Sequence, residues 1–287
     1  KNIADLISGA DLALYQAKDS GRDFICMLQS IELGIAQSKK MHGLSHILQK
    51  ALQEQRIIPY FQPIMDCKTG EVYSYEALAR LETEDGEIIS AGMFIEAADK
   101  YGINLALDHI MLRKVTEFMA QKKAETGFMP LVFVNLTPQE IQHRDILKYA
   151  ADLCTQHNIE PNRIVFEVTE REAISDLANM RKFLTQLREK GFAFALDDFG
   201  SGYNSFHYLR ELHFEYVKID GAFITNILNS KVDNALVNTL NQLCQELGMK
   251  TLAEFVESEA VMERLRELKI DYAQGFHLGL PQAGFIT

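Results

Sequence analysis

The chain has 287 residues, 47% hydrophobic and 24% charged, which is enough to bury a large core and excludes a disordered polymer. Its 40 acidic and 29 basic side chains give a net charge of −11 with no Lys/Arg-rich run, which argues against a polymeric nucleic acid as partner. Four scattered cysteines, Cys26, Cys67, Cys154 and Cys244, support neither a zinc knuckle nor a disulfide framework, so a reducing cytoplasm is the expected location. The apolar runs are too short and too often broken by charge to span a bilayer, and the N-terminal stretch lacks the apolar core of a signal peptide. This segment is therefore expected to make no membrane contact, while an anchor upstream in a longer protein stays open.

In chain order, "ADLALYQAKDSGR" carries Leu12, Leu14, Tyr15 and Ala17 at helical spacing and Gly21 as a stop, with too little chain around it for a core. Residues 1–29 thus read as the end of another unit. A polar, amphipathic tract over 30–55 reads as a helical connector. From residue 56 to 287, short β-rich runs alternate with longer helical tracts. The strands are expected at "IIPYFQPI", "VYSYEALARL", "LVFVNL", "IVFEVTE", "FAFALDD", "YVKID", "TLAEFV" and "YAQGF", with helices at 103–122, 143–157, 176–189 and 231–247. Eight such strands over about 230 residues predict an α/β fold, a (β/α)8 TIM-like barrel. The first two strands are separated only by "MDCKTGE", a turn without a helix, so one strand near the start is expected to run antiparallel.

Catalytic side chains of such barrels sit at the C-terminal strand ends. Here those ends carry Glu76 with Arg80, Asn135, Glu167 with Glu170, Asp197 with Asp198, Lys218 with Asp220, Glu254 with Glu257, and Gln274. Each carboxylate alone reads equally as a solvated strand end or a helix cap; together they would crowd one mouth. Carboxylates and an amide oxygen are hard ligands that favour Mg2+ or Mn2+ and disfavour zinc. The neighbours Asp197 and Asp198 could serve two ions about 3.5–4 Å apart, the arrangement used for displacement at phosphorus. Lys218 amid the acids could orient a water or form a buried salt bridge. A carboxylate-lined barrel mouth by itself also fits an enzyme acting on a sugar phosphate or an enolisable acid.

The motifs "YEALARL", "FVNLTP", "FEVTE", "DDFGSGYNS", "VKID", "AEFVE" and "QGFHLGLP" occur in an order that resembles the EAL-domain cyclic-di-GMP phosphodiesterases of bacteria, over roughly residues 45–285. Residues 10–22 resemble the last helix of a GGDEF diguanylate cyclase domain, whose signature is missing from this chain. The resemblance implies hydrolysis of cyclic-di-GMP to linear pGpG with two Mg2+ or Mn2+ ions. Glu76, Asn135, Glu167 and Asp197 would hold one ion, and Asp198 with Asp197 the second. Glu254, Lys218 and Glu76 would be catalytic, Glu254 and Lys218 acting on the attacking water. Gln62, Leu78, Arg80, Asp220, Glu257 and Gln274 would line the substrate site, with Arg80 on a phosphate, and Glu170 would tether the loop "DDFGSGYNS". A homodimer is implied as well, with Tyr208 and Leu209 equally suited to that contact or to the core. Phe255 replaces the family's usual glycine in "AEGVE", and Thr137 the usual serine of "FVNLS". The alternative within the family is a receptor module that binds cyclic-di-GMP without cutting it.

Overall fold

The computed structural model describes residues 43–143, 145–200 and 207–285. The expected GGDEF remnant, the first part of the connector and Gly202 with its neighbours at 201–206 lie outside them. What is described of the connector is a helix over 43–53.

Strand β1 (Ile57–Asp66) turns back on β2 (Val72–Glu82) through a tight connection in which Asp66 Oδ1 accepts hydrogen bonds from the backbone N–H groups of Lys68 and Thr69, each at 2.8 Å. β2 then continues into β4 (Val132–Asn135), β5 (Ile164–Thr169), β6 (Ala193–Phe199), β7 (Tyr216–Ile219), β8 (Lys250–Ala253) and β9 (Tyr272–Ala273), each parallel to the last. β1 pairs antiparallel with both β2 and β9 and closes the sheet into a barrel of eight strands. The expected barrel with one antiparallel strand near its start is what forms. A short β3 (Ile88–Ser90) pairs with the far end of β2 as an outer flap.

The connecting helices Asn104–Thr126, Asp145–His157, Leu177–Glu189 and Lys231–Glu246 lie where the apolar spacing predicts them. The first runs past residue 122 because "KKAET" still favours helix, and it stops at Gly127. The helix Ala91–Lys100, not anticipated from the sequence, buries Phe94, Ala97 and Ala98, which recur at helical spacing. Among the described residues no helix is long and apolar enough to cross a membrane. Tyr208 and Leu209 pack in the core, with 3% and 0% exposure.

The barrel interior is layered. A small cluster of Ile64, Phe133, Val165, Ala195, Leu252 and Tyr272 fills it toward the N-terminal ends of the parallel strands, with Tyr73 and Tyr216 packed against it. Tyr73 stacks on Tyr272 at 3.9 Å, and its hydroxyl lies 2.7 Å from that of Tyr216. This apolar plug sits directly beneath the polar mouth, because inward-facing side chains alternate along a strand with period two. Phe133 precedes Asn135 by two residues, Val165 precedes Glu167, Ala195 precedes Asp197, Tyr216 precedes Lys218, Leu252 precedes Glu254 and Tyr272 precedes Gln274.

One buried carboxylate fastens a helix to the barrel rim. Asp108 Oδ2, on the helix Asn104–Thr126, accepts from Thr137 N at 3.1 Å and Thr137 Oγ1 at 2.7 Å. Thr137 thus contributes both its backbone N–H and its hydroxyl to this contact. Burial pushes the Asp108 carboxyl from its ordinary 3.8 up to about 7, with Glu140 and Glu172 adding repulsion and the Thr137 bonds opposing it. The folded state therefore binds this proton more tightly than the unfolded state does. The stabilisation is complete below about pH 4 and is lost as pH rises through about 7. Asp108→Asn lacks the titration, so its melting temperature relative to wild type should climb between pH 4 and pH 7. Melting curves at half-unit pH steps check this, and a constant difference would show that Asp108 does not titrate in that window.

Candidate active site

At the C-terminal ends of the parallel strands one cation is enclosed by acids. Lys218, on β7 and 1% exposed, holds its Nζ 3.0 Å from Glu167 Oε1, 3.0 Å from Asp197 Oδ1, 3.0 Å from Glu254 Oε1 and 3.5 Å from Glu76 Oε2. Each of these residues comes from a different strand or its immediate end, so closure of the barrel is what brings them together. Amides complete the ring. Asn135 Nδ2 donates to Glu76 Oε1 at 3.1 Å, and Gln274 Nε2 donates to Glu76 Oε2 at 2.7 Å and to Gln62 Oε1 at 3.2 Å. Gln62 in turn donates to the Gly279 carbonyl at 3.1 Å.

Asp197 and Asp198 reach the same mouth through a break in strand geometry. Neighbouring side chains of an extended strand point to opposite faces. The register between β6 and β7 shifts between Leu196 and Phe199, and Asp198 takes a left-handed φ of 54°, a conformation that aspartate tolerates better than most residues. One oxygen each from Asp197, Asp198 and Glu254 consequently lies within 4.8 Å of the others.

Charge in this ring is far from balanced, since four carboxylates face one ammonium. Burial opposes the Lys218 charge, but Asp197, Glu167, Glu254 and Glu76 together outweigh it and hold its pKa well above the ordinary value. Burial, followed by repulsion from Glu76 and Asp197, holds the Glu167 carboxyl well above its usual range despite Lys218. Glu254 is pushed up to about 8, by burial first and then by Asp197 and Glu76. Asp198 is raised by burial and by Asp197. Glu167 Oε2, fully buried, meets no hydrogen-bond donor among the described residues. An orphaned acid oxygen within an acidic cluster fits a hard divalent cation, the class of ion that the donor set predicts.

The other expected site residues fall around this ring. Glu76, Leu78 and Arg80 share the inner face of β2 by the period-two rule. The Arg80 guanidinium lies over the Tyr60 ring at 5.5 Å and donates to the Ala79 carbonyl at 2.9 Å. Asp220 caps the short helix Gly221–Thr225 through Ala222 N at 2.8 Å. Exposed Glu257 lines a cavity of about 300 Å3 with Gln62, Glu76, Leu78, Glu254 and Gln274. A second cavity of about 450 Å3 opens on the other side of Leu78, between β2, β4 and the helices Ala91–Lys100 and Asn104–Thr126. Glu170 stands apart from the ring. Its Oε2 accepts from Gly200 N at 2.9 Å and its Oε1 from the Tyr208 hydroxyl at 2.8 Å, so one buried carboxylate holds both flanks of the segment 201–206. Sequence reasoning missed the exposed Phe276 on the first cavity and Asp108 on the second. Phe276 lay within the quoted "QGFHLGLP", whereas Asp108 sits in mid-helix with no local signal.

The sequence matches the EAL domain family over residues 45–281. The chain belongs to that family. As an EAL domain it is 31% identical over 282 residues to the cyclic di-GMP phosphodiesterase PdeB of Shewanella oneidensis, covering 98% of this chain and 33% of PdeB. It is 32% identical over 281 residues to MucR of Pseudomonas aeruginosa, named a bifunctional diguanylate cyclase/cyclic di-GMP phosphodiesterase, covering 96% of this chain and 40% of MucR. The chain thus spans a third to two fifths of the length of these curated relatives. Among solved structures, a PaMucR phosphodiesterase in complex with c-di-GMP superposes with a TM-score of 0.79 at 31% identity, covering 84% of this chain and 97% of that one.

Removing the central cation should expose its structural role in the EAL domain. Lys218→Met leaves buried carboxylates without their counter-charge and should destabilise the chelator-treated protein by up to about 3–5 kcal/mol at pH 8. Loss of Lys218 takes away the effect that lowers the Glu167 and Glu254 pKa values, so both rise further. The deficit should therefore shrink toward pH 5, where these carboxylates hold protons. Denaturant unfolding of both proteins at pH 5, 6.5 and 8 checks this; a deficit independent of pH would mean that Lys218 does not set their ionisation.

Proposed function

We propose that this chain hydrolyses cyclic-di-GMP to linear pGpG in the presence of Mg2+ or Mn2+. The observation that carries the reading is the ring of four carboxylates around buried Lys218 at a barrel mouth, in a family whose relative PaMucR was solved with c-di-GMP. The two cavities on either side of Leu78 add support, since a dinucleotide has two bases to accommodate.

Glu76, Asn135, Glu167, Asp197 and Asp198 would hold the ions, which when bound supply Lewis-acid polarisation of the phosphoryl group and neutralise its charge. Glu254 accepts a proton from the attacking water at its carboxylate oxygen, the water oxygen adds at phosphorus, and one P–O ester bond breaks. The leaving ribose oxygen ends protonated, so the cyclic diester becomes one monoester and one hydroxyl. Lys218, 3.0 Å from Glu254 Oε1, lowers the proton affinity that burial gives this carboxyl and holds it oriented inward. Arg80 faces a phosphate with a planar guanidinium, while Gln62, Leu78, Asp220, Glu257 and Gln274 border the substrate. Glu170 acts at a distance by fixing both flanks of 201–206, and so the backbone that follows Asp197 and Asp198.

Incubation of the purified chain with cyclic-di-GMP and Mg2+ or Mn2+, followed by product chromatography, tests the reading. The expected product is pGpG, abolished by EDTA and by Glu254→Gln. Ligand bound but uncut would make the chain a receptor, and neither binding nor cleavage would point to another substrate. Glu170→Ala should lower kcat by about ten-fold or more and demand a higher Mg2+ concentration while the melting temperature stays within a few degrees. Wild-type turnover at low Mg2+ in that variant would remove Glu170 from the mechanism.

A further inference from the structure

The residue after Glu254 is unusual in three respects. Phe255 has a φ of 54°, in the left-handed region where a side chain crowds its own backbone and bulky residues are seldom found. Its side chain gains little burial in return, since the residue is 61% exposed. The ring also rests against backbone that has been cleared for it. A Cβ added to Gly221 would lie 2.1, 2.6 and 2.9 Å from Phe255 Cδ2, Cγ and Cε2, so only glycine leaves room at the start of the helix Gly221–Thr225. Glycine at 255 itself would relieve the strain, and this chain carries phenylalanine there instead.

Neither core packing nor hydrogen bonding explains that choice, because a phenyl ring has no polar atom and this one is mostly open to solvent. Its position does. Phe255 borders the cavity of about 300 Å3 beside the acidic ring, together with Glu76, Leu78, Glu254 and a second exposed ring, Phe276. Supported by the Gly221 backbone, Phe255 offers an apolar, quadrupolar surface one residue from a carboxylate that faces the reacting phosphate. Such a surface suits a flat heteroaromatic base and contributes nothing to proton transfer.

Resting on the function proposed above, we infer that Phe255 is a base-stacking platform that grips one purine of the dinucleotide and sets substrate affinity rather than the chemical step. Phe255→Leu keeps an apolar side chain without the ring, and Phe255→Gly also removes the left-handed strain. Both should raise KM for cyclic-di-GMP by about ten-fold, in line with the usual contribution of stacking one base, with kcat within two-fold of wild type. Phe255→Tyr should behave as wild type. The Gly variant should melt at or above the wild-type temperature, which separates lost grip from lost folding.

The chain contains ten tyrosines but no tryptophan, so Phe255→Trp places the sole tryptophan at the site, excited selectively at long wavelength. Its emission should be quenched by cyclic-di-GMP, with a midpoint near the KM of the same variant, and not by bis(2-hydroxyethyl) phosphate, a diester without bases. If wild type cleaves cyclic-di-GMP while the Leu and Gly variants keep its KM, or if the Trp variant cleaves it without quenching, the stacking role is overturned and the phosphodiesterase reading stands. If wild type neither binds nor cleaves cyclic-di-GMP, both readings fall together.

Discussion

The ammonium of Lys218 has no access to water, so its charge is tolerable only because Glu76, Glu167, Asp197 and Glu254 surround it. The dependence is mutual. Those carboxylates project from separate strands into a space floored by Phe133, Val165, Ala195 and Leu252, where a lone anion would be costly. A single misplaced strand would leave an acid without its cation or the lysine without enough acids. The ion cluster therefore tightens the requirement that the barrel close in one register, beyond what apolar packing alone demands.

The same cluster is underneutralised, and this links stability to function. Glu167 and Glu254 within it and Asp198 beside it are raised in pKa by burial first and then by Asp197 and Glu76, so without a divalent ion the mouth stores protons. Binding such an ion would release them and exchange repulsion for coordination. The segment 201–206 begins three residues after Asp198, and Glu170 holds it at Gly200 and at Tyr208. Gly200 itself has a φ of 101°, and a Cβ there would come within 2.9 Å of Phe223, so the chain leaves the acids along a path that admits no side chain.

Much of this arrangement was legible because a barrel strand has a simple parity. An apolar run ending in an acid, read with period two, gives both the floor and the mouth. Val165 with Glu167 and Leu252 with Glu254 obey it without exception, and the short "MDCKTGE" connection gave away the antiparallel β1. The departures are the places where parity fails. Asp198 reaches the mouth only because its φ turns positive and the register with β7 slips, which neighbouring residues do not announce. Asp108 reaches the rim from a helix nearly thirty positions before its partner Thr137, and no local pattern encodes a contact between such distant segments. Phe255 was visible as a departure from the motif, but its strained backbone and its seat on Gly221 belong to three dimensions.

These departures share a physical character. Asp198, Gly200 and Phe255 all adopt positive φ; Asp198 and Phe255 immediately follow the inward-facing acids Asp197 and Glu254 at the ends of β6 and β8, and Gly200 comes two residues after Asp198. A strand leaving a barrel must bend sharply outward to reach its helix, and a left-handed residue makes that bend within one position. The bend stops the next side chain from pointing back among the helices, so it remains at the mouth. What begins as the geometric need to turn a corner thus supplies the site with a carboxylate at one strand end and an aromatic ring at the other. Strain at such corners costs stability wherever it occurs. In this barrel it falls on residues that border the acidic ring, while Ile64, Phe133, Val165, Ala195, Leu252 and Tyr272 of the apolar floor beneath them all keep negative φ.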